Sequence, residues 1–277
     1  MDEELLRRLT PEVLGVLCRR GADFASAEDA VQEALLDAWR TWPSEPPRDP
    51  KGWLVTTAWR RHLDAVRADT SRRRREDVVG AEAIRLTRAL AALDDHPETG
   101  GLLALMLLHH ARRASRWTPE GALVPLAEQD RSLWDTALVA EGVAVLQAAL
   151  ARDRLGEFQA QAAIAALHAD ARTAQETDWV QVVEWYDELV RLTDSPVVRL
   201  NRAVAVGQAD GPGAGLRALA ELDPALPRYD AVAAHLHERN GDPLRAATLY
   251  SEAALRSNNP AERDHLMRQA ARLNSAT

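Results

Sequence analysis

Apolar residues along this chain recur at intervals of three and four almost from end to end, a period that admits helices and little else. Val13, Leu14 and Leu17 follow it, and so do Val31, Ala34, Leu35, Ala38, Trp39 and Trp42. Each set lies on one face of a helix, and each helix must bury that face against a neighbour. Alternating strands of the Val/Ile/Thr/Tyr kind are missing, and aromatic residues are only 5% of the 277 residues. An all-α fold is expected. The apolar fraction of 46% is enough for a core, while the length fits one large domain or two ordinary ones.

Punctuation residues divide the pattern. Thr10-Pro11-Glu12 is expected to open a first helix, with Pro11 at its first position. Ser26 followed by Asp29 resembles a capping box opening a helix over 27–42, which Pro43 ends. The loop 43–51 holds four prolines and is stiff and exposed. Asp49-Pro50 then caps a helix running to about Asp69. The tract 71–80, with Arg72–Arg75 in succession, is the expected domain boundary. Beyond it the periodicity predicts helices near 81–94, 98–113, 125–151, 157–172, 176–192 and 196–208, then 212–222, 228–240, 242–257 and 260–273.

The last four helices look like repeats. Asp210-Gly211-Pro212 and Gly241-Asp242-Pro243 fill equivalent turns about thirty residues apart, each followed by a helix of small residues and leucines. Tyr250, Ala253, Ala254 and Pro260 continue the second unit as a tetratricopeptide repeat would. The expected organisation is 1–78, a small helical domain; 79–195, a helical extension; and 196–277, tetratricopeptide-like helix pairs that stack because neither partner buries its face alone.

Charge is uneven. The net charge is −8, so the chain as a whole is no polyelectrolyte partner for nucleic acid. Trp59–Arg75, however, carries seven arginines against Asp64 and Asp69, whereas everything from Gly80 onward is net −7. One end can meet phosphate and the rest cannot. No apolar run is long enough to span a bilayer, and Met1-Asp2-Glu3-Glu4 is acidic where a signal peptide would be basic. The lone Cys18 excludes an internal disulfide framework. A cytoplasmic protein with no membrane partner is expected.

Enzyme signatures are missing. There is no Gly-rich phosphate loop, no nucleophile elbow and no dinucleotide fingerprint. His109 and His110 are adjacent, so on a helix they diverge by about a hundred degrees; His168, His235, His237 and His265 lack a paired ligand spacing. Asp94-Asp95 and Glu141 read as a helix end and a salt-bridge partner. Gln159 and Gln161 with Trp179 read as a buried polar seam. No catalytic constellation emerges, so neither an enzyme nor a cofactor is expected.

The first eighty residues carry a resemblance. Ala27-Glu28-Asp29-Ala30-Val31-Gln32-Glu33-Ala34, then Leu36-Asp37-Ala38-Trp39-Arg40, resembles region 2 of bacterial RNA polymerase sigma factors, in the form of the extracytoplasmic-function class. Pro50-Lys51-Gly52-Trp53-Leu54 and Ala58-Trp59-Arg60-Arg61-His62-Leu63-Asp64, with Arg67, resemble the adjoining segment that melts and reads the −10 element. The resemblance implies a three-helix region 2. It implies that Asp29, Gln32, Glu33 and Asp37 meet a coiled coil on the clamp of core RNA polymerase. It implies that Arg48, Lys51, Trp53, Trp59, Arg60, Arg61 and Arg67 meet the non-template single strand of promoter DNA. Stacking on Trp53 and Trp59 would then contribute ~1–3 kcal/mol per base, although Trp53 fits a core position equally well.

Segments beginning at Gly101, Pro125, Ala160 and Leu200 are similar to one subgroup with a long helical extension ending in tetratricopeptide-like repeats, whose protein or peptide ligand is unknown. One departure stands out. The helix-turn-helix of region 4, which reads the −35 element, has no room between Arg75 and Ala81. Two functions follow as expectations: a sigma factor with a regulatory extension, or an interaction module that occupies polymerase without initiating.

Overall fold

The computed structural model describes residues 3–20, 22, 24–118 and 121–275, with the side chains of 3, 24, 25 and 69–74 excepted. Its residues fall into two compact units, one of 1–76 with the short segment 119–121, the other of 77–118 and 122–277. Among the described residues the elements are helical, and the one β-type pairing is an isolated bridge between Trp117 and Leu123.

The first unit is built from α1 (Glu3–Arg19), α2 (Phe24–Thr41) and the N-terminal part of α3 (Pro50–Leu93). Val13, Leu17, Ala34, Ala38, Leu54 and Ala58 form an apolar centre with almost no accessible surface. The cap of α3 is where Asp49-Pro50 placed it: Asp49 Oδ1 accepts a hydrogen bond from the Gly52 N–H at 3.0 Å.

Three expectations need correction here. Pro11 lies inside α1 and does not open it, since the helix already runs from Glu3. A mid-helix proline costs about 3 kcal/mol, which burial of Leu6, Leu9, Val13 and Leu17 along that helix offsets. Ser26 sits in the first turn of α2 and is not its cap. The helix expected to end near Asp69 instead runs on through 71–80: α3 is one helix of 44 residues, and the division between units falls within that tract, at Glu76/Asp77. Arginine is a good helix former and the tract holds no proline, so only Gly80 opposes continuation.

In the second unit, α4 (Pro97–Ala111) packs on both α5 (Thr136–Leu150) and α6 (Glu157–Asp170). Gly101 permits the closest approach, because a Cβ there would lie 2.6 Å from the Gln159 backbone nitrogen. From α6 onward each helix packs on its successor: α7 (Trp179–Thr193), α8 (Pro196–Ala209), α9 (Pro212–Ala220), α10 (Tyr229–Arg239), α11 (Pro243–Arg256) and α12 (Pro260–Ser275). Gly211 and Gly241 adopt φ of 91° and 81°, left-handed values that glycine accepts without strain and that the two equivalent turns require.

The single helix expected over 125–151 is instead two 3-10 turns, Leu126–Glu128 and Arg131–Leu133, followed by α5. Aspartates explain the interruption. Asp130 accepts from the Ser132 N–H and Asp135 from the Leu138 N–H, so each side chain replaces a helical carbonyl locally. Trp134, directly after the second turn, is buried and donates from Nε1 to Ser115 Oγ at 2.8 Å. Among the described residues no helix is long and apolar enough to cross a membrane.

Candidate functional site

The α2 sequence gives that helix two unlike sides. Ala27, Ala30, Val31, Ala34 and Ala38 are buried against the core, and their small size lets the helices approach closely. Asp29, Gln32 and Glu33 point outward and are exposed. Asp37, four residues beyond Glu33, is different: only 20% of its side chain is accessible. It accepts from Arg61 Nη2 at 2.5 Å and from Arg61 Nε at 3.1 Å. Glu33 Oε2 stands 3.7 Å from the same guanidinium. Hydrogen bonding to Asp37 raises the Arg61 pKa above its ordinary value.

Two apolar side chains share the outward face. Leu36 and Trp39 are each more than half exposed, although the apolar spacing had placed Trp39 in the core stripe. Trp39 projects at the edge of that stripe, and with Leu36, Gln32, Leu6 and Thr10 it lines a shallow groove between α1 and α2.

The basic residues of α3 also divide. Arg60 and Arg67, seven positions apart, share one face and are exposed; Asp64 Oδ1 lies 3.3 Å from Arg67 Nη1. Arg48 is exposed in the preceding loop. Arg61 lies about a hundred degrees round the helix from Arg60, on the side that pairs with α2. Lys51 Nζ is 2.5 Å from Glu12 Oε2, and that ammonium holds the Glu12 carboxyl below the usual carboxylate range. Trp53 packs into the core edge-on to Trp42, with ring centres 5.5 Å apart. Trp59 is half-buried, 5.2 Å from the His62 ring, and carries Arg20 over its face at 5.5 Å. The structure thus leaves Arg60 and Arg67 on accessible surface, Arg67 beside Asp64, packs Trp53 and the half-buried Trp59 against the core, and pairs Arg61 and Lys51 with carboxylates.

Sequence reasoning missed Arg20, which no motif marks, and Leu36, whose spacing of three from Trp39 and four from Gln32 was the available signal. In the second unit, Glu141 pairs with Arg88 at 2.7 Å, Asp95 with Arg152 at 2.5 Å, and Asp94 accepts from Thr99, so these carboxylates hold helices together. Gln159 is fully buried, its Nε2 donating to the Arg154 carbonyl at 2.8 Å.

Residues 5–73 match the protein family described as Sigma-70 region 2, and residues 66–150 match a family of unknown function, DUF6596. The first segment is thus similar to a sigma factor region 2. Over 192 residues, 68% of this chain and 45% of the relative, it is 40% identical to an uncharacterized protein, R00370, of Rhizobium meliloti (strain 1021). Over 82 residues it is 33% identical to the ECF RNA polymerase sigma factor SigK of Mycobacterium sp. (strain KMS), covering 29% of this chain and 42% of that one. The counterpart from Mycobacterium ulcerans (strain Agy99) is 34% identical over the same length, 44% of its own. The chain spans less than half the length of these curated relatives. No solved structure matches it.

Proposed function

We propose that this protein is an RNA polymerase sigma factor whose region 2 engages core polymerase through α2 and the −10 element through the loop 43–49 and α3, with the second unit as a regulatory or interaction extension. The observation that carries the reading is the outward acidic and amide face of Asp29, Gln32 and Glu33 inside the segment that matches region 2. Such a face complements a basic coiled coil on the polymerase clamp, and complementary charge raises both specificity and on-rate. Asp37 acts beside it as a strut that fixes α2 against Arg61.

For DNA, Arg48, Arg60 and Arg67 follow the phosphates while Trp59 supplies an aromatic surface beside them. An extruded base costs a few kcal/mol to unstack, so a loop pocket and this surface must compensate. Lys51 and Trp53 act indirectly by holding the loop and the start of α3. The helices α8–α12 serve as tetratricopeptide-like pairs that present a surface to a protein or peptide. The protein works in the cytoplasm beside polymerase and performs no chemistry of its own.

Replacing Asp29→Arg together with Gln32→Arg tests the reading. Both side chains are exposed, so helicity by circular dichroism is expected to be unchanged while co-purification with core polymerase is lost. Retained binding contradicts the clamp assignment.

A second reading has one observation in its favour. The match to region 2 ends at residue 73 and the DUF6596 match has already begun at 66, both within the uninterrupted α3. No helix-turn-helix fits between them, so the −35 element has no reader at that position. On this reading the protein occupies polymerase without initiating.

A further inference from the structure

Arg112, at the C-terminal end of α4, carries a charge that its surroundings leave uncompensated. It lines a cleft of 490 Å³ among α4, α6, α7 and α8, a volume ordinary for a small-molecule site. Residues three and four apart supply the walls, because such spacing aligns side chains along one helix face: Leu105, His109 and Arg112 from α4, then Gln161, Ile164 and His168 from α6. Leu189 and Val198 extend the apolar part; Tyr186 and Asn201 extend the polar part.

Half-buried as it is, Arg112 touches only a neutral partner, His109 Nδ1 at 3.4 Å from its Nη2. Among the described residues no carboxylate lies within ion-pair distance of it. The nearby charges are otherwise occupied. Arg116 donates to the His109 carbonyl, and Arg131 to the carbonyls of His168 and Ala171, so each guanidinium covers the negative end of a helix. Asp77 faces Arg116 and Glu176 faces Arg131. Glu157, the carboxylate in the cleft wall, accepts from Gln161 Nε2 at 2.8 Å.

Burial and the neighbouring Arg116 pull the Arg112 pKa down to about 10, which leaves it a cation at neutral pH. Burial, then nearby arginines, bring His168 to about 4, so it is neutral there and has a ring N–H to donate; the same causes lower His109, although its surface is exposed. The Tyr186 hydroxyl is kept protonated by burial. The side chains of His168, Tyr186 and Asn201 have no hydrogen-bond partner among the described residues.

We propose that this cleft binds a small organic monocarboxylic acid, its carboxylate on Arg112 and its apolar body against Leu105, Ile164 and Leu189. One uncompensated guanidinium matches one carboxylate in charge and in its two-oxygen geometry. The apolar wall rules against inorganic anions, which would leave it wet. The site is distinct from region 2, and its binding needs no polymerase, so failure here leaves the transcription reading untouched.

The test uses the full chain and titration calorimetry with 2-naphthoate, against its uncharged counterpart 2-naphthamide. Saturable binding of the acid is expected, with the amide about tenfold weaker or more, as a lost charge-assisted hydrogen bond implies. Arg112→Gln is expected to erase that preference by weakening the acid alone. Ala165→Phe, which narrows the cleft while leaving Arg112 in place, is expected to weaken both ligands. Arg191→Gln, on the surface beside Glu188, serves as a control and is expected to change neither. Melting curves of each variant separate lost binding from lost fold. Equal affinity for acid and amide overturns the proposal. So does an acid affinity unmoved by Arg112→Gln in a folded variant, or the absence of saturable binding by 2-naphthoate.

Discussion

The two units of this protein put their polar chemistry in opposite places. In the first, helices α1–α3 close tightly over small and branched apolar residues, and the acidic, amide and basic groups of interest stand outside that core. In the second, buried and half-buried polar groups gather around a cleft between helices, with Arg112 and His168 facing inward. A surface of the first kind suits large partners, which bring their own complementary face. An inward cluster suits a ligand small enough to be enclosed. The contrast also shows what an arginine does in each setting: Arg61 and Arg88 are tied by carboxylates, whereas Arg112 is held against a neutral imidazole.

The largest effect that sharpens this comparison is on the cores. Leu54 in the first unit and Leu236 in the second are both essentially inaccessible, so truncation of either to alanine is expected to destabilise by ~2–5 kcal/mol in denaturant titrations. A loss below about 1 kcal/mol for Leu54→Ala would show that the first core is loose, and the comparison would break. Next is Gly101→Ala, whose added methyl would fall 2.8 Å from Gln159 Cγ as well as against its backbone. Overpacking of this kind costs ~1–3 kcal/mol, measured as a lowered melting temperature of the full chain. A neutral result would mean that α4 and α6 are further apart than described.

A smaller effect depends on pH. His168 titrates near pH 4 in the folded chain against an ordinary value of 6.5, so between those values the unfolded chain binds more protons. Stability from this group is complete above about pH 6.5 and falls as pH drops toward 4. A full shift corresponds to about 1.4 kcal/mol per pH unit, and partial exposure of the ring reduces the expected loss to about 1 kcal/mol. His168→Gln is expected to flatten that limb of the stability profile; an unchanged limb would place the ring in water. The smallest effect concerns Asp37. Changing Asp37→Asn frees Arg61, and the salt dependence of single-strand binding is expected to steepen by up to ~0.7 in log–log slope. No change would mean that Arg61 stays turned toward α2 without its partner.

Much of the fold was legible because helical period and turn residues are local signals. Asp49-Pro50, Asp210-Gly211-Pro212 and Gly241-Asp242-Pro243 all punctuate the chain where their chemistry says they must. Two of the misses share an origin, a local preference overruled. Pro11 is carried through α1 by a buried leucine face, and Gly80 cannot break a helix so rich in arginine on its N-terminal side. The resemblance to region 2 was readable because its residues are contiguous on two helices. That Arg61 is spent on Asp37 was not, since the pairing exists only once α2 and α3 cross. The cleft was least legible of all. Its residues come from several helices, and neither His109 nor His168 has a partner at ligand spacing in the sequence.

The most direct measurement of the central claim is transcription in a defined system of core polymerase, this protein and a template already melted over a −10 element. A melted template removes any need for a −35 reader and leaves region 2 as the decisive part. The account predicts transcripts that depend on the protein and vanish with Asp29→Arg/Gln32→Arg. Polymerase binding without any transcript would contradict it and leave the occupying-module reading in its place.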